Sequence, residues 1–130
     1  MKSPTAPEAA SMPARPYGCT NLKLRQLMRR VARHYDAEMG KAGLKGTQYS
    51  LLSHVVKLGP IRPVDLAATM RVDASTLSRN LKPLVAAGWL ALEAGEDGRS
   101  RLVHATDAGR DKRAEAQRRW RVAQERLNEA

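Results

Sequence analysis

The chain has 130 residues and a net charge of +10, enough length for one domain with an ordinary core and a basic balance that favours a polyanionic partner. Its one cysteine, Cys19, excludes an internal disulfide and fits a reducing compartment. No apolar run reaches the length of a membrane span and the first twenty residues lack the apolar core of a signal peptide, so no membrane partner is expected and a cytoplasmic location is.

In chain order, residues 1–18 hold Pro4, Pro7, Pro13 and Pro16 among Ser, Thr and Ala, a composition expected to form a disordered or loosely docked tail. A single domain is expected over 19–130. Its first helix is predicted from about Thr20 to Lys41, with Leu24, Leu27, Met28, Val31, Tyr35 and Met39 at helical spacing and Arg25, Arg29, Arg30 and Arg33 elsewhere on the surface. A second helix follows, capped by Thr47, supplying Tyr49, Leu51, Leu52, Val55, Val56 and Leu58 as apolar surface, its leucines and valines expected in the core, and stopped by Gly59-Pro60. Ile61 is positioned to add a short strand to a later hairpin.

Residues 61–106 carry the densest pattern. A short helix opens at Pro63, and Arg71-Val72-Asp73 forms a tight connection to a second one, which Asp73 caps and Gly88 ends. Leu77, Leu81, Leu84 and Val85 share one side of that helix, while Ser75, Thr76, Arg79 and Lys82 point the other way. Two short helices joined by so short a turn are a helix-turn-helix, whose second helix enters the DNA major groove. Short hydroxyls at Ser75 and Thr76 suit close approach to bases or phosphates, and the Arg79 guanidinium suits a guanine edge. Lys82 suits a phosphate or plain solvation, and Pro83 predicts a kink. Trp89–Glu93 and Arg99–Ala105 then flank a glycine-containing turn and read as a β-hairpin. The last helix is predicted from Thr106-Asp107 toward Ala130, with a narrow stripe of Ala116, Trp120, Ala123 and Leu127 that needs a partner.

Charge is distributed unevenly. Residues 22–45 carry seven Lys/Arg against two acids, whereas 60–106 carry six against five. His34, His54 and His104 lack ligand spacing, no glycine-rich phosphate loop is present and no carboxylate pair stands out, so no metal, cofactor or enzymatic chemistry is expected.

Five motifs in order, Val72-Asp-x-Ser-Thr-Leu-Ser-Arg79, Leu84-Val-x-x-Gly-Trp-Leu90, Glu96-Asp-Gly-Arg-Ser-Arg101, His104-Ala-Thr-Asp-Ala-Gly109 and the upstream Gly43-Leu-Lys-Gly-Thr-Gln-Tyr-Ser-Leu-Leu52, resemble a MarR-type winged helix-turn-helix regulator. The resemblance implies a mainly α fold with a small β-hairpin wing, with helices 20–41 and 107–130 forming a homodimer and 61–106 reading double-stranded DNA. A typical member carries a further terminal helix, whereas this sequence stops at Ala130; the seam is expected to be completed by the first helix and the tail, or to give a weaker dimer. Asp97 and Arg99 match the family's wing element, with Arg99 in the minor groove, Asp97 positioning it and Arg101 as a backbone contact or second wing charge.

Relatives of this kind often bind phenolic or other small aromatic anions. Arg33, His34, Tyr35, Met39, Tyr49 and His54 are candidates to line such a site. Some relatives sense oxidants through a cysteine near the start of the first helix; Cys19 lies about half a turn earlier than theirs, beside Lys23. The function implied is a dimeric repressor, released from a pseudo-palindromic operator by an aromatic effector. The alternatives are a redox-sensing repressor using Cys19, and a winged-helix interaction module that does not read DNA.

Overall fold

A computed structural model describes residues 16–129, with the side chains of 19–129. The expected tail lies outside the described residues as far as 15. The chain divides into two units, 1–34 and 35–130. Helix α1 (Pro16–Met39) starts four residues before the expected position, with the proline in its first turn, where a missing N–H costs nothing. One 3₁₀ turn (Gly40–Ala42) follows, and Gly43 reverses the chain at φ 79°.

Helix α2 (Gly46–Leu58) begins two residues earlier than the Thr47 cap implied, with Lys45 at the cap position. The difference has a tertiary cause: Asp36 Oδ1 accepts the Gly46 N–H at 2.8 Å, and the Gln48 side chain accepts that of Lys45 at 2.9 Å. Two orphan donors are thereby satisfied without the Thr47 hydroxyl. Helices α3 (Pro63–Met70) and α4 (Ala74–Ala86) are joined by the three residues read from sequence.

Strands β1 (Leu90–Ala94) and β2 (Arg101–Ala105) pair antiparallel, Leu90 opposite Ala105 and Leu92 opposite Val103. Ile61 exchanges both main-chain hydrogen bonds with Val103 at 3.1 and 2.8 Å, giving the hairpin its short third member. Helix α5 (Asp107–Glu129) closes the described chain.

The core of the second unit gathers Met39, Leu44, Leu51, Leu52, Val55, Leu66, Leu77, Leu81, Leu84, Leu90, Val103 and Ala116, whereas Leu58, expected there, is exposed at the last position of α2. Each element contributes the positions its own periodicity selects: one face of α4, and alternate residues Leu90, Leu92, Val103 and Ala105 of the hairpin. No helix among the described residues is long and apolar enough to cross a membrane.

The end of α1 is tied to α5. Tyr35 donates its hydroxyl to Gln124 at 2.6 Å and stacks on Trp120 with ring centroids 6.4 Å apart. Glu38, only 5% exposed, receives Lys41, Arg119 and Arg126 at 3.3, 3.4 and 3.2 Å. Burial pushes its carboxyl up, but the hydrogen bonds and charges of Lys41, Arg126 and Arg119 outweigh burial and hold it below the usual carboxylate range.

Candidate nucleic-acid interface and the cleft beside it

Local chemistry builds the helix-turn-helix. Arg71 sits in the left-handed region at φ 59°, and the Arg71 and Val72 N–H groups return to the carbonyls of Ala68 and Ala67 at 3.2 and 3.0 Å. This is the paired bond pattern that ends a helix and turns the chain, here with arginine where glycine is usual. Asp73 then caps α4, its Oδ1 accepting the Thr76 N–H at 2.7 Å and the Ser75 hydroxyl at 2.9 Å. The Thr76 N–H and then the Ser75 hydroxyl hold the Asp73 carboxyl below its usual range.

At the other end Gly88 takes φ 83°, and the Gly88 and Trp89 N–H groups satisfy Val85 and Leu84 at 3.0 Å each. Helix α4 continues through Pro83 to Ala86. The proline falls in the last turn, where only the Arg79 carbonyl loses its helical donor.

Leu77, Leu81 and Leu84 are buried, and Ser75, Ser78, Arg79 and Lys82 are exposed on the opposite side. Two sequence-selected residues serve the helix itself: Ser75 is engaged by the cap, and the half-buried Thr76 accepts the Arg79 guanidinium at 3.3 Å. Ser78 was missed by a reading that chose residues for hydroxyl proximity to the N-terminus or for charge; its signal is its place between Ser75 and Lys82 on the same face.

At the wing tip Asp97 Oδ1 accepts the main-chain N–H groups of Ser100 and Arg99 at 2.9 and 3.0 Å, and both its oxygens receive the Ser100 hydroxyl. The Ser100 N–H, then the Arg99 N–H, keep its carboxyl below the usual range. Asp97 therefore shapes the loop that presents Arg99 through the main chain, and Arg99 and Arg101 are both exposed. Arg62, which precedes α3 and pairs with Asp65 at 3.0 Å, feels the charge of Asp97 and adds a cation near the wing that sequence reading missed.

The wing is locked to α5 by Thr106. Its hydroxyl donates to the Gly88 carbonyl at 2.6 Å and accepts the Gly109 N–H at 3.0 Å. A Cβ on Gly109 would overlap the Trp89 carbonyl, so this glycine is a packing requirement. Lys112, one turn on, donates to the Ala42 carbonyl at 2.9 Å and lies 5.4 Å from the Trp89 ring centre.

Within the second unit, α2, α5 and the end of α1 enclose a cleft of about 430 Å³. Tyr35, Met39, Tyr49 and His54 line it as expected. Arg33 and His34 are not among the lining residues: Arg33 is exposed beside Gln26, Arg29 and Arg30. The structure adds Ser53, Arg113, Gln117 and Trp120, and the Arg113 Nε donates to the Ser53 hydroxyl at 3.3 Å. Sixty residues separate that pair, so no local pattern marks it. Cys19 is exposed in the first turn of α1.

Residues 42–100 match the MarR family model. An HTH-type transcriptional regulator of Bacillus subtilis, YwoH, is 30% identical over 81 residues, which span 62% of this chain and 59% of that relative. The M. tuberculosis transcriptional regulator MosR, solved in complex with DNA, superposes with a TM-score of 0.73 at 28% identity, covering 86% of this chain and 82% of its own. A probable transcriptional regulator from Pseudomonas aeruginosa gives 0.74 at 28% identity, covering 82% and 80%. On this match and this fold, the winged helix-turn-helix of the chain is similar to that of the MarR-family regulators.

Proposed function

We propose that the chain is a cytoplasmic, dimeric transcription repressor that reads double-stranded DNA through α4 and the wing. The observation that carries this is the exposed polar face of α4, Ser75, Ser78, Arg79 and Lys82, capped at Asp73 and accompanied by a wing whose tip is braced by Asp97 beneath Arg99. The MosR relative in its DNA complex supports the same use of the fold. Dimerisation is supported by α1, where Leu24, Leu27 and Met28 are 55%, 53% and 70% exposed on one side of the helix. Hydroxyl-radical footprinting on a selected duplex tests it: two protected half-sites about 34 Å apart are expected, and a single protected half-site contradicts the dimer.

The cleft is the effector site of this reading. Tyr35, Tyr49, Met39 and Trp120 supply flat apolar walls and Arg113 supplies a cation, a combination that suits an aromatic ring bearing an anionic group. Titration with salicylate is expected to quench Trp120 fluorescence. Arg113→Ala should weaken that binding roughly tenfold to a hundredfold, the loss expected for a charge-assisted hydrogen bond. Equal quenching in the variant would remove Arg113 from the site.

A further inference from the structure

Helix α1 carries a basic face that neither the DNA-reading unit nor the apolar stripe uses. Lys23, Arg25, Arg29, Arg30 and Arg33 are all exposed, and no acidic residue occurs between Pro16 and Tyr35. Every ion pair among the described residues involves other cations, so these five charges are uncompensated there. Arg25, Arg29 and Arg33 recur every fourth residue, a rise of about 6 Å per step along one stripe. Arg29, Arg30, Arg33 and Gln26 together border a cleft of about 320 Å³. Leu24, Leu27, Met28 and Val31 fall on the opposite side of the helix, so a second copy seated on the apolar stripe leaves the basic face open.

We infer that this face is a second, sequence-independent binding surface for the phosphate backbone of duplex DNA, distinct from α4 and the wing. Four of the five cations are arginine, whose planar fork matches phosphate oxygens bidentately. A stripe of evenly spaced charge fits a polymer of evenly spaced anions better than one small ion. Residues 60–106 hold six cations against five acids, so the reading unit contributes little of the chain's long-range attraction to nucleic acid. The basic face of α1 supplies it.

The test uses the full chain on a short random-sequence duplex across a salt series, with polyglutamate as a second probe. Three proteins are compared: the wild type, Arg25→Gln/Arg29→Gln/Arg33→Gln, and Arg79→Ala/Arg99→Ala, with thermal unfolding confirming that each is folded. The triple variant should bind the duplex at least tenfold more weakly and lower the salt slope by about 2 to 3. Arg79→Ala/Arg99→Ala should keep the α1-dependent component, its own loss adding to that of the triple variant. An unchanged slope in the triple variant overturns the inference, as does absence of random-duplex binding by the wild type. Polyglutamate binding as tightly as duplex, and lost in the triple variant, would replace DNA with an acidic protein partner. Failure of the α4 reading alone would show as an unchanged Arg79→Ala/Arg99→Ala protein beside a weakened triple variant.

Discussion

Arg71 and Gly109 show how single backbone positions hold the reading unit in shape. A non-glycine residue in the left-handed region costs roughly 1–2 kcal/mol, and the extra freedom of an unfolded glycine costs roughly 0.5–1 kcal/mol. Arg71→Gly is therefore expected to raise stability by up to about 1 kcal/mol in urea unfolding; a loss of stability would mean that the arginine side chain contributes more than the turn strains. Gly109→Ala has the opposite sign, because the added methyl meets the Trp89 carbonyl rather than a yielding side chain. A destabilisation of roughly 1–3 kcal/mol is expected from such overpacking, and an unchanged unfolding midpoint would contradict the close approach. Asp73 and Asp97 contribute to the acid limb of the pH dependence alongside Glu38. Both carboxyls are held below their ordinary values by N–H and hydroxyl donors, so their stabilisation is complete above the ordinary carboxylate range and is lost as pH falls through the lowered values. Asp73→Asn, which keeps an acceptor for the Thr76 N–H, should flatten the acid limb of the stability curve while changing neutral-pH stability little. Caps such as Asp73 and Gly88 were legible in sequence because their partners lie within a few residues. The left-handed turn at Arg71 was not, since arginine carries no mark of positive φ.

At the scale of elements, the sequence patterns identified the five α-helices and the hairpin, while the short strand expected at Ile61 is a single bridge to Val103, and the start of α2 moved where a distant side chain intervened. Asp36 reaching Gly46 started α2 early, and no window around Thr47 contains that contact. The cleft divides the same way: Tyr35, Met39, Tyr49 and His54 lie on α1 and α2, whose faces were legible, while Arg113 and Trp120 arrive from α5 by tertiary packing. Glu38 is the clearest case of chemistry invisible to local pattern. In the sequence it is only one of two acids among the seven Lys/Arg of residues 22–45, and in the structure it is the buried acid onto which Lys41 and two arginines of α5 converge. Glu38→Gln is expected to lower the melting temperature more than Arg119→Ala or Arg126→Ala alone, because it leaves several cations around one neutral amide. Arg119→Ala and Arg126→Ala should combine non-additively, since they share one partner. Strict additivity would show that the cluster does not act as a unit.

For the whole molecule, the proposal joins two charge patterns and one apolar stripe into a single device. In the proposed dimer the exposed stripe of Leu24, Leu27 and Met28 would pair two copies, each presenting an α4 face and a wing, and the cleft beside α5 lies one turn beyond the Thr106–Gly109 junction that locks the wing. Leu27→Lys should therefore yield a monomer in sedimentation velocity and lose tight binding to a two-half-site duplex; a dimer in that variant would move the interface elsewhere. The central claim is that α4 reads sequence. Fluorescence anisotropy of the full chain on a duplex selected from random DNA, against its scrambled counterpart, tests it most directly. The wild type is expected to prefer the selected duplex by roughly a thousandfold or more, with Arg79→Ala losing about 1–3 kcal/mol of discrimination at one base pair. Equal affinity for both duplexes, unchanged by Arg79→Ala, would contradict the account.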